Sequence, residues 1–319
     1  TEAVTTERSA LSIEERPLYF RSGSENLFGV VTLPTDHPQR SGVILLTGGA
    51  WISSVNRNRL WVHAARSLAA AGFHAMRFDY HGVGESSGTL ETYGLKRPFI
   101  DGTVAAAETL RAQGADRIIL LGSCFGARVA LEAAAKIDGL DGLILLSPPL
   151  GDFERAGQGM DIAGYVGKRS RVAMLRQLAD KNKRSIYLRI VKGRARLIAT
   201  RSIRRMTGRR PWADDWVGPR LLKGVERMVG RKVPILLVYG RDDPFGDEFD
   251  LARKGRLGGL VDASEGRIEE RILDGQVHKL LDLDVQSDVI RHSPLWAGWL
   301  HSRTARTRDA GLSTQVTGG

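Results

Sequence analysis

The chain has 319 residues, a length that fits one large domain or a core domain with a sizeable insertion. Of these residues 42% are hydrophobic, and the formal net charge is +11. Its single cysteine excludes an intramolecular disulfide and a metal site built from several cysteines, and nothing else in the sequence predicts a metal or a cofactor. The sequence has no apolar run of about 18 residues that would cross a membrane, and residues 1–17 lack the apolar stretch of a signal peptide, which favours a cytoplasmic location.

The predicted elements alternate between strands and helices. Short apolar or alternating runs predict strands at residues 18–22, 27–33, 42–46, 73–79, 117–122, 142–146, 233–240 and 268–274. Helical periodicity and turn signals predict helices at residues 59–71, 100–113, 125–136 and 285–301. This alternation predicts an α/β fold with a mainly parallel sheet and helices on both of its faces.

Residues 151–230 interrupt the alternation. They show helical spacing of apolar residues around Val172 and Leu175, interspersed with Arg and Lys. Because this segment lies between two predicted core strands, we interpret it as an inserted helical cap. The core would then comprise residues 18–150 and 231–301. Residues 1–17 and 302–319 would be tails, the second of them disordered because it is polar.

The basic residues are concentrated in the predicted cap. Residues 151–232 contain 22 Lys and Arg against 7 Asp and Glu, a net charge of +15, whereas the rest of the chain has a net charge of −4. A local patch of this kind indicates an anionic partner. A solvated helical face, or a helix lying on anionic lipid, remains an alternative.

The strongest chemical signal is the sequence Gly122-Ser123-Cys124-Phe125-Gly126, between a predicted strand and a predicted helix. This is the context of a nucleophile elbow, in which the middle residue takes a strained conformation and the outer glycines let strand and helix approach. In this frame the nucleophile is Cys124 and not Ser123. The N-terminus of a helix favours the thiolate form. The alternative is a buried structural cysteine.

From about residue 18 to residue 301 the chain resembles the α/β-hydrolase superfamily. The segment Gly48-Gly49-Ala50-Trp51 follows a predicted strand where that superfamily places its oxyanion loop, although Thr47 stands where many members have His. Residues 79–86 (DYHGVGES) resemble the D-x-x-G-x-G-x-S turn after the next strand. The resemblance implies that an oxyanion would be bound by the backbone N–H groups of Phe125 and of Gly49 or Ala50.

The same resemblance implies an acid and a histidine later in the chain, in that order. The acid is expected three residues after Gly240, which selects Asp243, with Asp242 as the fallback. Either aspartate could instead cap the following helix. The histidine is expected after the last strand, which selects His278.

These residues predict an acyl ester or thioester hydrolase with a Cys124–His278–Asp243 triad and an acyl-cysteine intermediate. Cysteine elbows are a minority type in the superfamily, and the capped layout most resembles thioesterases and acyltransferases. Acyl carrier protein or coenzyme A would be the anionic partner of the basic cap, while nucleic acid is disfavoured. An acyltransferase, a cyclase or a carboxylate-eliminating lyase, including one of natural-product biosynthesis, remains an alternative, as does a binding module with a degenerate core.

Overall fold

The computed structural model of the chain describes residues 13–90, 92–94, 99–151, 154–156, 217–243 and 246–316. Its strands, in chain order, are β1 (Ile13–Ser22), β2 (Glu25–Pro34), β3 (Ser41–Leu46), β4 (His74–Phe78), β5 (Thr92–Gly94), β6 (Arg117–Ser123), β7 (Leu140–Leu146), β8 (Glu154–Ala156), β9 (Ile235–Gly240) and β10 (Ile268–Leu273). The apolar runs that predict the central strands are buried along their whole length, as in β3 and β9. This burial is what a sheet covered on both faces requires.

Eight of these strands form one sheet in the order β1-β2-β4-β3-β6-β7-β9-β10, and β5 pairs with β8 separately. Strand β2 runs antiparallel to β1 and β4, and the other neighbours are parallel. The strand order reverses between β3 and β6, because the chain runs outward from β3 to β4 and then returns to the other side of β3. Ligands of open α/β sheets bind outside the carboxyl ends of the strands at such a point. The loops after β3 and β6 are therefore placed to build a site.

The helices cover both faces of this sheet. Among the described residues they are α1 (Leu60–Ala70), α2 (Ile100–Ala112), α3 (Phe125–Ala133), α4 (Pro219–Gly230), α5 (Gly246–Arg253), α6 (Arg256–Ala263) and α7 (Leu283–Val316), with a 3-10 turn at Arg57–Arg59 before α1. Helices α1 and α7 share one buried cluster with Val43 and Leu45 of β3. Helix α2 packs on the other face, where Leu110 lies against Gly42. The mainly parallel sheet with helices on both faces is the α/β-hydrolase fold, as the sequence predicts.

Strand β1 begins at Ile13, five residues before the predicted strand. The sequence predicts a tail up to Pro17, and four of the first five residues of β1, from Glu14 to Pro17, are charged or proline. β1 is an edge strand, so its alternate side chains can face solvent, and Arg16 and Glu14 form an exposed ion pair of 2.6 Å there. Proline is also tolerated on an edge strand, since no neighbour needs its missing N–H.

Helix α7 continues to Val316, whereas the sequence analysis predicted disorder from residue 302. Its continuation is anchored to the sheet, because the Thr304 hydroxyl donates to the Asp141 carbonyl of β7 at 2.8 Å and Arg303 pairs with Glu269 of β10 at 3.0 Å. Within the helix, the Arg303 guanidinium lies 4.7 Å from the ring centre of Trp299. Composition alone does not show the two contacts to the sheet, because they join residues distant in sequence.

The chain divides into two compact units, one of residues 1–157 and 217–319 and the other of residues 158–216. The second unit lies outside the described residues, and so does most of the predicted cap, residues 151–230. Helix α4 falls within that predicted range, yet it belongs to the first unit and packs against α3, where Leu131 lies close to Gly224. Within the described ranges, no helix is long and apolar enough to cross a membrane.

Candidate active site

Cys124 occupies a sharp turn between β6, which ends at Ser123, and α3, which begins at Phe125. Its backbone has φ 46° and ψ −111°, a conformation that residues other than glycine rarely adopt. The turn is held by a hydrogen bond of 2.8 Å from the Cys124 N–H to the carbonyl of Leu146, at the end of β7. Cys124 is half-buried, whereas Ser123 is only 1% exposed. The strain and exposure of an elbow nucleophile therefore fall on the cysteine.

The two glycines of the elbow are required by close backbone packing. A Cβ atom on Gly122 would lie 2.3 Å from the carbonyl oxygen of Gly126, and one on Gly126 would lie 2.4 Å from the carbonyl oxygen of Leu46. Such separations are far below van der Waals contact. The sequence analysis gives this reason for the glycine spacing, and the structure agrees with it.

The loop after β3, residues 47–56, lies directly against the elbow. A Cβ atom on Gly48 would lie 3.6 Å from the Cβ of Cys124. The backbone N–H of Phe125, a predicted oxyanion donor, donates to the Gly48 carbonyl at 3.3 Å. Gly49 and Ala50, the other predicted donors, are buried in the same loop. Phe125 thus follows Cys124 directly and contacts the loop that carries Gly49 and Ala50, and its N–H is engaged by a carbonyl of that loop.

Asp79, the first residue of the D-x-x-G-x-G-x-S turn, fastens this loop to the turn after β4. Its carboxylate accepts a hydrogen bond from the backbone N–H of Ser54 at 2.5 Å, and its carbonyl accepts one from the Ser86 hydroxyl at 2.7 Å. Asp79 is 4% exposed. It therefore connects the loop that lies against the elbow to the turn after β4.

The two candidate acids differ sharply in environment. Asp243 is buried, and its Oδ2 atom accepts hydrogen bonds from the Gly240 N–H at 2.7 Å and from the Ser147 hydroxyl. Asp242 is exposed, and its backbone N–H donates to the Gly275 carbonyl at 3.1 Å. A buried carboxylate that accepts several hydrogen bonds can orient a histidine, whereas an exposed one is screened by water.

His278 lies in the loop after β10, next to Asp243. The Asp243 Oδ1 atom accepts the backbone N–H of His278 at 2.7 Å, and His278 itself is half-buried. The loop is fixed on its other side by Val277, which is fully buried in the core cluster shared with α1 and α7. A Cβ atom on Gly240 would lie 2.6 Å from the Val277 nitrogen, so the acid and histidine loops pack closely.

Four neighbouring parallel strands deliver these residues to one edge of the sheet. Cys124 follows β6, Ser147 follows β7, Asp243 follows β9 and His278 follows β10. Backbone hydrogen bonds connect successive strand ends, including one of 2.7 Å from the Ser147 N–H to the Val238 carbonyl. All three predicted triad residues therefore lie at the carboxyl edge, where the strand order directs a site.

Two residues near this edge, Ser147 and Arg128, are not predicted from the sequence. Ser147 is fully buried, has φ 43° and donates its hydroxyl hydrogen to Asp243. Arg128 is 1% exposed and donates to the Pro149 carbonyl at 2.7 Å. No motif marks either residue, because a positive φ at serine and a buried arginine both depend on packing between distant strands.

Two further histidines lie away from the triad. His81, in the turn after β4, meets the ring of Phe99 edge-on at 4.4 Å between ring centres, and burial lowers its pKa. His301 contacts the Asp141 carboxylate at 3.0 Å at the opposite edge of the sheet. Both contacts are structural, so they leave His278 as the histidine adjacent to the acid.

Comparison with known proteins relates this fold to a family and to solved structures. The sequence matches the family model described as serine aminopeptidase, S33, over residues 39–281, while a search of curated proteins gives no significant match. The fold is similar to that of an esterase of Pyrococcus furiosus, with a TM-score of 0.52 and 18% identity, covering 90% of this chain and 92% of that one. It is also similar to a proline iminopeptidase of Mycobacterium smegmatis, with a TM-score of 0.52 and 17% identity, covering 92% and 100% of the two chains.

A third similar structure is Est1E of Butyrivibrio proteoclasticus with ferulic acid bound, with a TM-score of 0.52 and 16% identity, covering 87% of this chain and 98% of that one. At these identities the likeness is one of fold. The family model, in contrast, spans well over half of the 319 residues. The chain therefore belongs to the serine aminopeptidase S33 family of α/β-hydrolase-fold hydrolases.

Proposed function

We propose that this chain is an acyl ester or thioester hydrolase that acts through an acyl-cysteine intermediate on Cys124. The observation that carries the proposal is the strained, half-buried position of Cys124 between β6 and α3. The family is described by a serine nucleophile, yet the elbow position here is cysteine, and the adjacent Ser123 is buried at the end of the strand. Sulfur would therefore replace oxygen as the attacking atom.

The reaction follows from the roles of the three residues. The imidazole of His278 takes the proton from the Cys124 Sγ atom, and the thiolate attacks the carbonyl carbon of the substrate. The tetrahedral intermediate collapses when the leaving group departs with the proton returned by His278. Water, deprotonated by the same imidazole, then attacks the acyl-cysteine and releases the acid and the thiol. Asp243 orients His278 and stabilises the imidazolium throughout.

Cysteine also supports acyl transfer as a second function. A thioester intermediate reacts readily with amines and carbanions, so an acceptor other than water could take the acyl group. Acyltransferase, cyclase and carboxylate-eliminating lyase activities therefore remain alternatives on the same residues. Release of the acyl group to water or to another acceptor distinguishes hydrolysis from transfer, whereas product formed without any adduct on Cys124 would indicate elimination.

The experiment is a substrate panel combined with mass spectrometry of the intact protein. The panel contains aryl esters, acyl thioesters and aminoacyl arylamides, the last because the family is described as aminopeptidases. We expect ester or thioester turnover by the wild type, an acyl adduct on Cys124, and loss of both in Cys124→Ala. Turnover by Cys124→Ala equal to that of the wild type would refute the proposal, and a persistent adduct that only an added amine releases would establish transfer.

The anionic acyl donor is the second part of the proposal. Residues 151–232 carry a net charge of +15, which suits the phosphates of coenzyme A or the acidic surface of an acyl carrier protein. If the segment recruits such a donor, the KM for an acyl-coenzyme A should rise steeply between 50 and 500 mM NaCl, while the KM for a neutral aryl ester stays constant. If the two KM values responded equally to salt, the basic segment would have no role in binding the acyl donor.

A further inference from the structure

Ser147, which directly follows β7, contacts the predicted acid Asp243 through its side chain. Among the hydrogen bonds of the described residues, it is the side-chain donor to this carboxylate. Its hydroxyl donates to the Asp243 Oδ2 atom, while the opposite oxygen, Oδ1, faces the backbone N–H of His278. The two ends of the carboxylate are thus held by different loops. We propose that Ser147 is a positioning residue that fixes the Asp243 carboxylate in the orientation that His278 needs, an inference that rests on the proposed Cys124–His278–Asp243 triad.

The backbone of Ser147 has a positive φ, and its packing between β7 and β9 explains this strain. It has φ 43° and is fully buried directly after β7. A residue other than glycine is destabilised in this region of φ, and such strain persists only where the surroundings over-determine it. The Ser147 N–H donates to the Val238 carbonyl of β9 at 2.7 Å. This bond turns the chain so that the hydroxyl meets the acid that follows the same strand.

The turn that follows Ser147 is held by two buried donors. The Arg128 Nη1 atom donates to the Pro149 carbonyl at 2.7 Å, and the Tyr239 hydroxyl donates to the Pro148 carbonyl at 3.4 Å. Burial, together with the negative charge of Asp243, raises the pKa of Tyr239, so this hydroxyl keeps its proton at neutral pH. The turn therefore cannot shift without leaving buried donors without acceptors, which is costly.

Arg128 also connects this turn to the nucleophile. It lies in the first turn of α3, and its backbone N–H donates to the Cys124 carbonyl at 3.4 Å. The elbow helix thus contacts the Ser147 turn through Arg128, and the Ser147 turn contacts the acid. We expect the distance between nucleophile and acid to be set by this route as well as by the sheet.

The single cysteine allows a test that needs no knowledge of the substrate. Alkylation by iodoacetamide reports the thiolate fraction of one site only, because Cys124 is the only cysteine among the 319 residues. A thiol paired with a well-oriented imidazole forms its thiolate at a pH well below the ordinary thiol pKa of about 8.5. Loss of that orientation moves the midpoint of the alkylation rate towards the ordinary value.

The experiment compares alkylation profiles between pH 5 and pH 10 for the wild type, Ser147→Ala and Ser147→Gly. Both variants remove the hydroxyl, and the glycine variant also relieves the positive φ, so at least one of them should fold well. We expect both to alkylate about tenfold more slowly than the wild type near pH 6 and equally fast near pH 10, which corresponds to a midpoint about one pH unit higher. Ser293→Ala, which removes a buried hydroxyl from α7, is the control and should keep the wild-type midpoint.

Three results would contradict either the inference or the triad on which it rests. If both Ser147 variants keep the wild-type midpoint while Asp243→Asn and His278→Ala raise it, Ser147 is a structural hydroxyl and the triad stands. If Asp243→Asn and His278→Ala also leave the midpoint unchanged, the proposed triad itself fails. A lower midpoint in the Ser147 variants would also contradict positioning, because it would mean that the hydroxyl competes with His278 for the carboxylate.

Discussion

The Asp243 carboxylate and the His278 backbone N–H are joined by a hydrogen bond of 2.7 Å. This bond links the loops after β9 and β10, so the predicted acid fixes the main chain of the predicted base. Oδ2 of the same carboxylate is held by Gly240 and Ser147. Both oxygens therefore accept hydrogen bonds, which a carboxylate can do at both ends and an amide at only one.

Replacing Asp243 by Asn should abolish most of the activity. The amide would present an N–H₂ group either to the Ser147 side or to the His278 N–H, so a buried donor would lose its acceptor and the imidazolium its counter-charge. We expect kcat/KM for an aryl ester to fall by on the order of 10³-fold or more. Asp242→Asn is the matched control, because Asp242 is exposed.

The comparison of Asp242→Asn with Asp243→Asn also shows which result would contradict the assignment of Asp243 as the acid. Asp242→Asn should stay within about twofold of the wild type, since exposed charges are well screened. If Asp242→Asn lost the activity and Asp243→Asn kept it, the acid would have been assigned to the wrong residue.

A methyl group at the elbow should destabilise the whole fold. The Cβ of Gly122→Ala would lie 2.3 Å from the Gly126 carbonyl oxygen and 2.6 Å from the Ala127 nitrogen, so strand and helix would have to separate. We expect a loss of at least about 3 kcal/mol in the free energy of unfolding, measured by urea denaturation. Gly259→Ala in α6 meets no atom within 4 Å and should be neutral or stabilising by up to about 1 kcal/mol.

The polar cluster at the opposite edge of the sheet should affect stability and leave the chemistry unchanged. The fully buried Asp141 carboxylate contacts the Arg117 guanidinium at 2.8 Å and the imidazole of His301 at 3.0 Å. Asp141→Asn should lower the free energy of unfolding by about 2–4 kcal/mol, because it breaks a buried ion pair. The pH midpoint of Cys124 alkylation should not move.

The control for this cluster is Asp116→Asn, which breaks an exposed pair with Arg40. Surface pairs contribute little, so the change should stay within about 1 kcal/mol. A large loss in Asp116→Asn together with a small one in Asp141→Asn would contradict the burial argument.

His74 should make the protein less stable in acid. Burial at the start of β4 lowers the pKa of His74 below its ordinary value of 6.5. The unfolded chain therefore binds a proton near pH 6.5 that the folded chain resists, and the free energy of unfolding falls as the pH drops through that value. In His74→Gln the loss between pH 7.5 and pH 5.5, measured in urea, should be smaller than in the wild type.

The exposed His63 of α1 provides the comparison, since His63→Gln should lose as much stability over this pH range as the wild type. A wild-type slope in His74→Gln would show that other groups dominate the acid response.

The sequence predicted the elements whose signal is local. The apolar runs of β3 and β6 and the glycine spacing around Cys124 express burial and close packing within a few residues, and both agree with the structure. The predicted start of β1 and the predicted end of α7 were wrong, because charged or small polar residues in these segments are stabilised by distant partners such as Asp141. Ser147 could not be found from sequence, since its conformation depends on a bond to Val238. The cap prediction, residues 151–230, falls mostly outside the described residues.

The hydrogen bond from the Phe125 N–H to the Gly48 carbonyl, at 3.3 Å, has a consequence for inhibitor kinetics. A neutral ligand competes poorly for a donor that already has an acceptor, whereas a full negative charge on oxygen competes well. Aldehydes and boronic acids that form tetrahedral anions on sulfur should therefore show slow onset and long residence times. Neutral carboxamide analogues should bind and dissociate rapidly, because a neutral oxygen does not displace the Gly48 carbonyl from the Phe125 N–H.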